Sequence, residues 1–234
     1  DMVSYAILYS ILNQDRNARF ACETIVTMGK VIDTGEITTS ASVDYKKIVS
    51  ETISLIGYDE DDLNNDDKKY QIEVIIKEQS PHIAQGVDQE VDTEQGAGDQ
   101  GLMFGYACNE TEELMPLPIM ISHSLTKKLS EVRKNKTLNW LKPDGKSQVT
   151  VEYNAEGLPV LVKKVVLATQ HNDMLSDFDT VEEEHSFIEK NLINHVIVPV
   201  LNKYGIKYDN EFIINGTGRF VEGGPIADVG LTGR

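Results

Sequence analysis

The sequence predicts an α+β fold made of repeated β-α-β-β-α-β modules, two of which are largely present. Helical periodicity and strict strand-like alternation succeed one another, and the same order of elements recurs in both halves of the chain. The 234 residues, 40% of them hydrophobic, suffice for one large domain or two small ones. We expect helices to cover one face of each sheet, so the other apolar face needs a partner domain or subunit.

The first half follows the order α-β-β-α-β, which is the module without its opening strand. Apolar residues at every third or fourth position predict a helix over residues 2–14. Two β-rich runs, residues 19–28 and 31–39, predict a hairpin. Residues 43–56 are amphipathic at helical spacing, and a glycine directly after them supplies a stop signal. Strict alternation over residues 70–76 predicts a half-buried strand.

The second half supplies the complete order β-α-β-β-α-β. Residues 102–107 predict the opening strand, and apolar residues on one face of residues 119–132 predict the first helix. Alternation, a long amphipathic run and a short apolar run predict two strands, a helix and a closing strand at residues 149–153, 160–168, 181–201 and 212–214.

The charge balance limits the classes of partner. The chain has 22 Lys and Arg against 38 Asp and Glu, a net charge of −16. Binding to nucleic acid or to an anionic membrane surface needs a basic footprint, so we expect neither partner. No apolar run approaches the ~20 residues that span a bilayer. Two cysteines and the lack of a recognisable export signal predict a cytoplasmic protein.

The sequence does not match several familiar site motifs. The acidic run from Asp59 to Asp67 resembles a calcium loop, but Asp67 stands where the sharp turn needs glycine, so a solvated loop is the better interpretation. A second acidic run, residues 173–184, suits a helix N-terminus. The five histidines lack zinc-site spacing, and no nucleophile elbow or Walker lysine is present. Hydrolase and P-loop hypotheses therefore gain no support.

Two segments stand out as candidate ligand sites. Residues 127–146 carry seven basic against two acidic side chains. A solvated helix face explains most of them, but Lys142-Pro-Asp-Gly-Lys146 is predicted to form a turn ahead of a strand, where a lysine can face an anion. The turn Glu94–Gly101 has three glycines, which allow a backbone to approach a ligand closely. The aperiodic residues 79–93 are long enough to be a functional or disordered loop.

A series of short motifs, each present once, extends along the whole chain. The most specific is Gly96-Ala-Gly-Asp-Gln-Gly101, which Leu-Met-Phe-Gly-Tyr-Ala107 follows. The others are Ala21-Cys-Glu-Thr24, Gly35-Glu-Ile-Thr-Thr39, Gln79-Ser-Pro81, Gln85-Gly-Val-Asp88, Asn109-Glu-Thr111, Lys146-Ser-Gln-Val-Thr150, Thr169-Gln-His171, Thr217-Gly-Arg-Phe220, Gly223-Gly-Pro225 and Gly230-Leu-Thr-Gly-Arg234. Together they resemble the S-adenosylmethionine synthetase (methionine adenosyltransferase) family. His82 and Gly216 depart from the residues usual in that family.

The resemblance implies three modules of similar topology, and thus a chain truncated at both ends. It assigns residues 1–78 to an N-terminal module that lacks its first strand and residues 79–93 to a flexible gating loop. Residues 94–220 form the central module, and residues 221–234 begin the third. A Gly-His-Pro-Asp-Lys motif before Asp1 and a lysine-rich segment after Arg234 are expected in the full-length protein.

The resemblance also implies an activity, which is the synthesis of S-adenosylmethionine from ATP and L-methionine. The methionine sulfur attacks C5′ of ATP, and the released triphosphate is hydrolysed to phosphate and diphosphate. Magnesium and potassium ions are the implied cofactors, and a homodimer or homotetramer is the implied assembly. The full-length form is the expected enzyme, whereas this chain alone is expected to be inactive. The alternative is a non-catalytic nucleotide-binding fragment or pseudo-enzyme of the same fold.

Site roles follow from the resemblance, position by position. Glu23 matches the potassium ligand, while the magnesium ligand is expected upstream of Asp1. The positions matching methionine-binding residues are Glu36, Gln79, Asp99 and Asp228. The positions matching ATP-binding residues are Asp144, Gly145, Lys146, Thr217, Gly218, Arg219, Phe220, Asp228 and Arg234, of which Lys146 and Arg234 match catalytic residues. The alternative is that Asp144, Arg219 and Asp228 only cap turns and that Glu23 is a surface carboxylate.

Overall fold

The computed structural model describes residues 1–58, 70–78 and 100–233. Contacts divide the chain into two compact units, one made of Asp1–Phe104 with Gly224–Arg234 and the other of Gly105–Gly223. The predicted gating loop lies outside the described residues, and so do three predicted site residues: Gln79, Asp99 and Arg234. The module boundaries implied by the resemblance stay predictions.

Helices and strands alternate along the described chain much as the periodicity predicts. In chain order the elements are α1 (Met2–Leu12), β1 (Arg19–Thr27), β2 (Lys30–Thr38), α2 (Tyr45–Ile56), β3 (Gln71–Lys77), α3 (Leu117–Lys134), β4 (Leu141–Tyr153), β5 (Pro159–His171), α4 (Val181–Leu192), a π-helical turn (Ile193–Ile197), α5 (Val198–Tyr204), β6 (Lys207–Tyr208), β7 (Phe212–Ile214) and β8 (Gly230–Leu231). Short 3₁₀ turns occupy Leu175–Asp177 and Gly224–Ile226.

The first unit is a four-stranded sheet in the order β3-β2-β1-β8, with α1 and α2 packed together on one face. β1 and β2 form the predicted antiparallel hairpin, and β3 runs parallel to β2. The buried core comes from the helices and from alternate strand residues: Val3, Ile7, Ile11, Cys22, Val31, Ile37, Val49 and Ile53. Both helices, the hairpin and the third strand are therefore confirmed.

Local signals at both ends of α2 explain its bounds. The Asp44 side chain accepts a hydrogen bond from the backbone N–H of Lys47 at 3.1 Å, which satisfies one of the unpaired donors at the N-terminus. At the other end Gly57 takes the left-handed conformation, with φ 112°, and its N–H donates to the carbonyl of Ile53. The predicted glycine stop is thus confirmed.

The second unit contains a sheet in which β5 pairs with β4, β6 and β7. β4 and β5 are antiparallel, whereas β6 and β7 run parallel to β5. The predicted inward face of the first helix of this unit, now α3, is confirmed: Ile121, Leu125, Leu129 and Val132 are all buried. They share one core with buried residues of β5, α4 and α5.

β4 corrects one expectation about the basic segment. The strand begins at Leu141, so Lys142–Lys146 lies inside it and not in a turn ahead of it. The pairing with β5 shifts register between Leu141 and Gly145. Such an irregularity accommodates Pro143, which has no N–H to donate to a regular ladder.

The predicted opening strand over residues 102–107 is wrong. These residues have no regular secondary structure, and Leu102, Met103 and Phe104 are 82%, 90% and 92% exposed. No strand in the described part of the chain pairs with them. An apolar, β-prone run forms a strand only where it pairs with a neighbouring strand, and in the described residues this run pairs with neither sheet.

The predicted helix over residues 181–201 is present but interrupted by the π-helical turn. Pro199 explains the interruption, because it lacks an N–H and its ring would clash with the carbonyl of His195 in a regular α-helix. A wider turn relieves both conflicts. None of the helices in the described residues is long and apolar enough to cross a membrane.

One acidic side chain lies in the interior of the first unit. Asp33 on β2 is fully buried, and its Oδ1 accepts a hydrogen bond from Thr24 Oγ1 at 2.8 Å. No described residue bonds to its Oδ2. Burial raises the pKa of this carboxyl above its ordinary value, and the hydrogen bond from Thr24 opposes that shift only in part. The folded chain therefore holds the Asp33 proton more tightly than the unfolded chain does.

This burial predicts a pH-dependent stability. The unfolded chain releases the Asp33 proton at about pH 4, below the pKa in the folded chain, so its stabilising contribution is complete below that pH and is lost as the pH rises through the folded pKa. We expect Asp33→Asn to lose less stability than the wild type as the pH rises above about 4. Denaturant unfolding followed by circular dichroism measures this difference. Glu51→Gln, at an exposed position on α2, is the control; equal pH slopes in wild type and Asp33→Asn would contradict the prediction.

Candidate functional site

The candidate ATP-binding residues of the second unit meet at one end of its sheet. The β4–β5 register places Gly145 opposite Thr169 and Lys146 opposite Ala168. β7 runs parallel beside β5, with Ile214 opposite Leu167. The chain that leaves β7 therefore enters the segment from residue 215 to 223 at this same end of the sheet.

Asn215 fixes the start of that segment. Its side chain is buried, its Oδ1 accepts from the N–H of Thr169 at 2.9 Å, and its Nδ2 donates to the carbonyl of Thr169 at 3.2 Å. Its own carbonyl accepts from the N–H of Gly218 at 2.8 Å. The Asn215 side chain thus takes the place of a strand partner for Thr169, and its backbone carbonyl closes a turn. The turn leaves Thr217 and Gly218 exposed.

His171 fixes the segment at Phe220. The N–H of His171 donates to the carbonyl of Phe220 at 3.0 Å, and the N–H of Phe220 donates to Nε2 of His171 at 3.2 Å. The other ring nitrogen, Nδ1, lies 2.8 Å from the carbonyl of Asn172 and donates to it. These partners define a neutral imidazole with its proton on Nδ1. The buried ring is therefore a structural support and not a free acid or base.

Three side chains converge on the bare backbone of Gly223. A Cβ atom placed there would lie 2.6 Å from Cε2 of Phe220, 3.0 Å from Cδ of Gln170 and 3.1 Å from Oδ2 of Asp144. Only glycine fits this position without displacing a neighbour. The structure thus brings together Asp144 and Phe220, two residues that the resemblance assigns to ATP binding.

Gln170 is a residue of this cluster to which the sequence assigned no role. Its Nε2 donates to the carbonyl of Val221 at 3.0 Å. Its Oε1 is buried, and no described residue bonds to it. The only sequence signal was its position in the motif Thr169-Gln-His171, since a glutamine by itself has no distinctive spacing.

Gly145 and Lys146 face opposite sides of β4. A Cβ on Gly145 would lie 3.3 Å from the carbonyl of Ala168 and 3.4 Å from Cδ1 of Leu129, so a side chain there would point toward α3, although Gly145 itself is exposed. Lys146 is exposed on the other face, and no carboxylate of the described residues pairs with it. An exposed ammonium group two residues along β4 from Asp144 is available to an anionic ligand.

The Arg219 guanidinium is bound to two carboxylates. Its Nε donates to Glu184 Oε2 at 2.5 Å, and its Nη2 donates to Glu184 Oε1 at 3.1 Å and also to Asp173. Arg219 lowers the pKa of both carboxyls, and they in turn raise the pKa of Arg219. The sequence placed Glu184 at a solvated helix N-terminus, whereas the structure buries it completely.

The first unit holds the other predicted site residues. Glu23 on β1 and Glu36 on β2 lie on the sheet face opposite the helices, because the alternate residues Cys22 and Thr24 are the buried ones. Glu36 pairs with Lys77, with 3.4 Å between Oε1 and Nζ. These carboxylates therefore project from an open sheet face.

Gly35 and Asp228 are two further residues of the first unit that bear on the predicted methionine site. Gly35, at φ 149°, directly precedes Glu36, and a Cβ there would lie 2.0 Å from the carbonyl oxygen of Ala21, so no other residue fits. Asp228 is exposed, and its Oδ1 accepts from the N–H of Val229 at 2.8 Å. That contact agrees with the alternative interpretation of Asp228 as a turn residue and leaves its second oxygen for other partners.

Metal ions find little support in the described residues. No group of three or more His, Cys, Asp or Glu side chains that could hold a metal ion occurs in residues 1–58, 70–78 and 100–233. Glu23 is a single carboxylate, and one ligand does not make a cation site. The described residues do not fit a complete magnesium or potassium site, and both ions stay predictions that depend on the resemblance.

Comparison with known families gives two matches. Residues 94–220 match the model of the S-adenosylmethionine synthetase central domain, and residues 1–81 match the model of the S-adenosylmethionine synthetase N-terminal domain. The first match alone covers more than half of the chain.

Proposed function

Because the chain belongs to the S-adenosylmethionine synthetase family, we propose that the full-length protein makes S-adenosylmethionine from ATP and L-methionine. The observation that carries this proposal is the convergence of Asp144 and Phe220 around Gly223, with the exposed Lys146 two residues along β4 from Asp144. An aromatic face for a base and a cation for phosphate are what a nucleoside triphosphate requires. We propose that these residues bind ATP together with Gly145, Thr217 and Gly218.

The proposed chemistry needs positioned charge and no proton transfer. A bond forms between the neutral methionine sulfur and C5′ of ATP, the bond from C5′ to oxygen breaks, and triphosphate leaves. The sulfur becomes a sulfonium without losing a proton, so no general base is required. This agrees with the use of both His171 nitrogens in structural hydrogen bonds. Rate acceleration then depends on alignment of the two substrates and on stabilisation of the leaving triphosphate.

We propose that Lys146 supplies part of that stabilisation. It lies in a locally basic segment of an acidic chain and is exposed on the open face of β4. As a compact ammonium group it contacts phosphate oxygens as a point charge. The remaining charge is assigned to Arg234 and to the flanks expected in the full-length protein. The released triphosphate is then hydrolysed to phosphate and diphosphate.

On the methionine side we propose that Glu36 binds the substrate ammonium group. Its carboxylate already pairs with the ammonium of Lys77, so this position accepts a cationic partner. Gln79, Asp99 and Asp228 complete the proposed set. The triphosphate and the amino acid are thereby assigned to different groups of residues.

The activity is tested with full-length protein, ATP, methionine labelled in its methyl group, magnesium and potassium. We expect labelled S-adenosylmethionine by mass spectrometry, with phosphate and diphosphate in equal amounts. A reaction without methionine is the control, since it reports any hydrolysis of ATP alone. Absence of the labelled product at saturating substrate would contradict the proposal, and ATP binding without product would favour the non-catalytic alternative.

A further inference from the structure

We propose that Glu184 is a positioning residue for the nucleotide loop, defined as residues 215–220, and that it acts through Arg219. The inference rests on the proposed function, because it concerns how the adenosine end of ATP is bound. Glu184 lies on α4, and among the described residues its hydrogen bonds to the loop all go to the guanidinium of Arg219. It is a positioning residue and not a catalytic one.

The nucleotide loop is held at three points. Asn215 ties its start to Thr169, and Phe220 ties its end to His171. Both of these ties go to β5, the strand beside the loop. The third tie runs from Arg219 to helix α4 and not to β5. It is the only ion pair between the loop and that helix in the described residues.

The geometry of the third tie fixes direction as well as distance. The two Glu184 oxygens receive Nε and Nη2 of Arg219, which is the bidentate arrangement that restricts a planar guanidinium most strongly. Glu184 Oε1 also accepts from the N–H of Met174 at 3.2 Å. Asp173 receives Nη2 from a second side and in turn accepts from the N–H of Leu175. Each carboxylate that holds Arg219 is therefore itself oriented by a backbone donor.

Fold stability alone is a poor reason for this arrangement. A fully buried carboxylate loses its hydration, and a well-packed apolar side chain stabilises such a position at least as well as an ion pair does. What the ion pair adds is a defined orientation of Arg219. Because Phe220 follows Arg219 directly, that orientation also sets the backbone that carries the Phe220 ring.

The two ion pairs give Arg219 a different role from the ATP contact that the resemblance implies. With Nε and Nη2 committed to Glu184 and Asp173, the side chain works as an anchor of the loop. Recognition of adenosine by the loop then falls to the Phe220 ring and to the exposed main chain of Thr217 and Gly218. A substitution of Glu184 is expected to weaken these adenosine contacts and to leave the binding of the triphosphate group unchanged.

The test compares two ligands on the full-length protein by titration calorimetry. Glu184→Gln keeps the shape of the side chain and removes its charge. We expect this variant to bind ATP about ten- to a hundredfold more weakly, as small displacements of positioning groups do, while inorganic tripolyphosphate binds as in the wild type. Glu182→Gln is the matched control, since it removes the same charge from an exposed position on the same helix and should bind both ligands normally.

A second set of variants distinguishes an effect that passes through Arg219 from a general loss of folded protein. Asp173→Asn removes the more exposed of the two carboxylates and should weaken ATP binding in the same direction but by less. In an Arg219→Gln background, Glu184→Gln should have little further effect, because the proposed action passes through Arg219. Equal weakening for ATP and tripolyphosphate, no weakening for ATP, or independent effects of the two substitutions would each overturn the proposal. A wild type that binds no ATP would refute the proposed function as well.

Discussion

Replacing Lys146 by alanine in the full-length protein is expected to lower kcat about 10²–10³-fold, the usual effect of losing one electrostatic contact to the transition state. Negative charge grows on the triphosphate as its bond to C5′ breaks, whereas methionine carries no developing negative charge at that step. The loss should therefore appear in turnover and in triphosphate release, and methionine binding should stay close to that of the wild type. Initial rates of product formation, with methionine affinity measured separately, distinguish the two effects.

Lys127→Ala is the matched control for this prediction. Lys127 belongs to the same basic segment but is exposed on α3, outside the Asp144–Phe220 cluster. The two variants change the net charge equally, so a general electrostatic effect on ATP would affect both. Near-normal turnover of Lys146→Ala would place that lysine among solvated surface charges.

Most of the element order could be predicted because it depends on local pattern. Four apolar residues at helical spacing determine the buried face of α3, and the glycine after α2 ends that helix. The run over residues 102–107 failed because a strand pattern does not reveal whether a sheet edge will pair with it. β6 and β8 were not predicted, because a strand of two residues is too short to show a sequence pattern and is defined only by its pairing with a neighbouring strand.

In the candidate site, too, the residues in short motifs could be predicted, whereas partners brought together by tertiary packing could not. Asp144 and Phe220 were found through motifs and do lie together around Gly223. The partners of Arg219 could not be found, because Glu184 and Asp173 are 35 and 46 residues away in sequence. The packing of α4 brings Glu184 close, and the end of β5 brings Asp173 close. Buried polar partners of this kind depend on tertiary contacts that no spacing rule encodes.

Each unit leaves apolar side chains on the sheet face that its own helices do not cover. Ile75 on β3 is 53% exposed, while Ile72 and Ile76 face the core of the first unit. Ile213 on β7 is 38% exposed, while Phe212 and Ile214 pack into the core of the second unit. Such faces are commonly buried between subunits, and closed two-fold dimers are the commonest assemblies. The proposed functional unit is therefore at least a dimer, with each active site shared between subunits.

Complementation between inactive variants tests this assembly. Glu36→Ala and Lys146→Ala should each abolish most activity, one on the methionine side and one on the phosphate side. If the two residues of one site come from different subunits, a mixed dimer has one intact site and one doubly impaired site. Random subunit exchange then makes half of the dimers mixed, so we expect recovery to about a quarter of wild-type activity.

The control mixture combines Asp144→Ala with Lys146→Ala. These residues lie two positions apart on β4, so one subunit supplies both to any given site. Every site of the mixed dimer then carries one defect, and no recovery is expected. Recovery in the first mixture and not in the second requires sites built from two subunits. A protein that is monomeric at working concentration and fully active would contradict the shared site altogether.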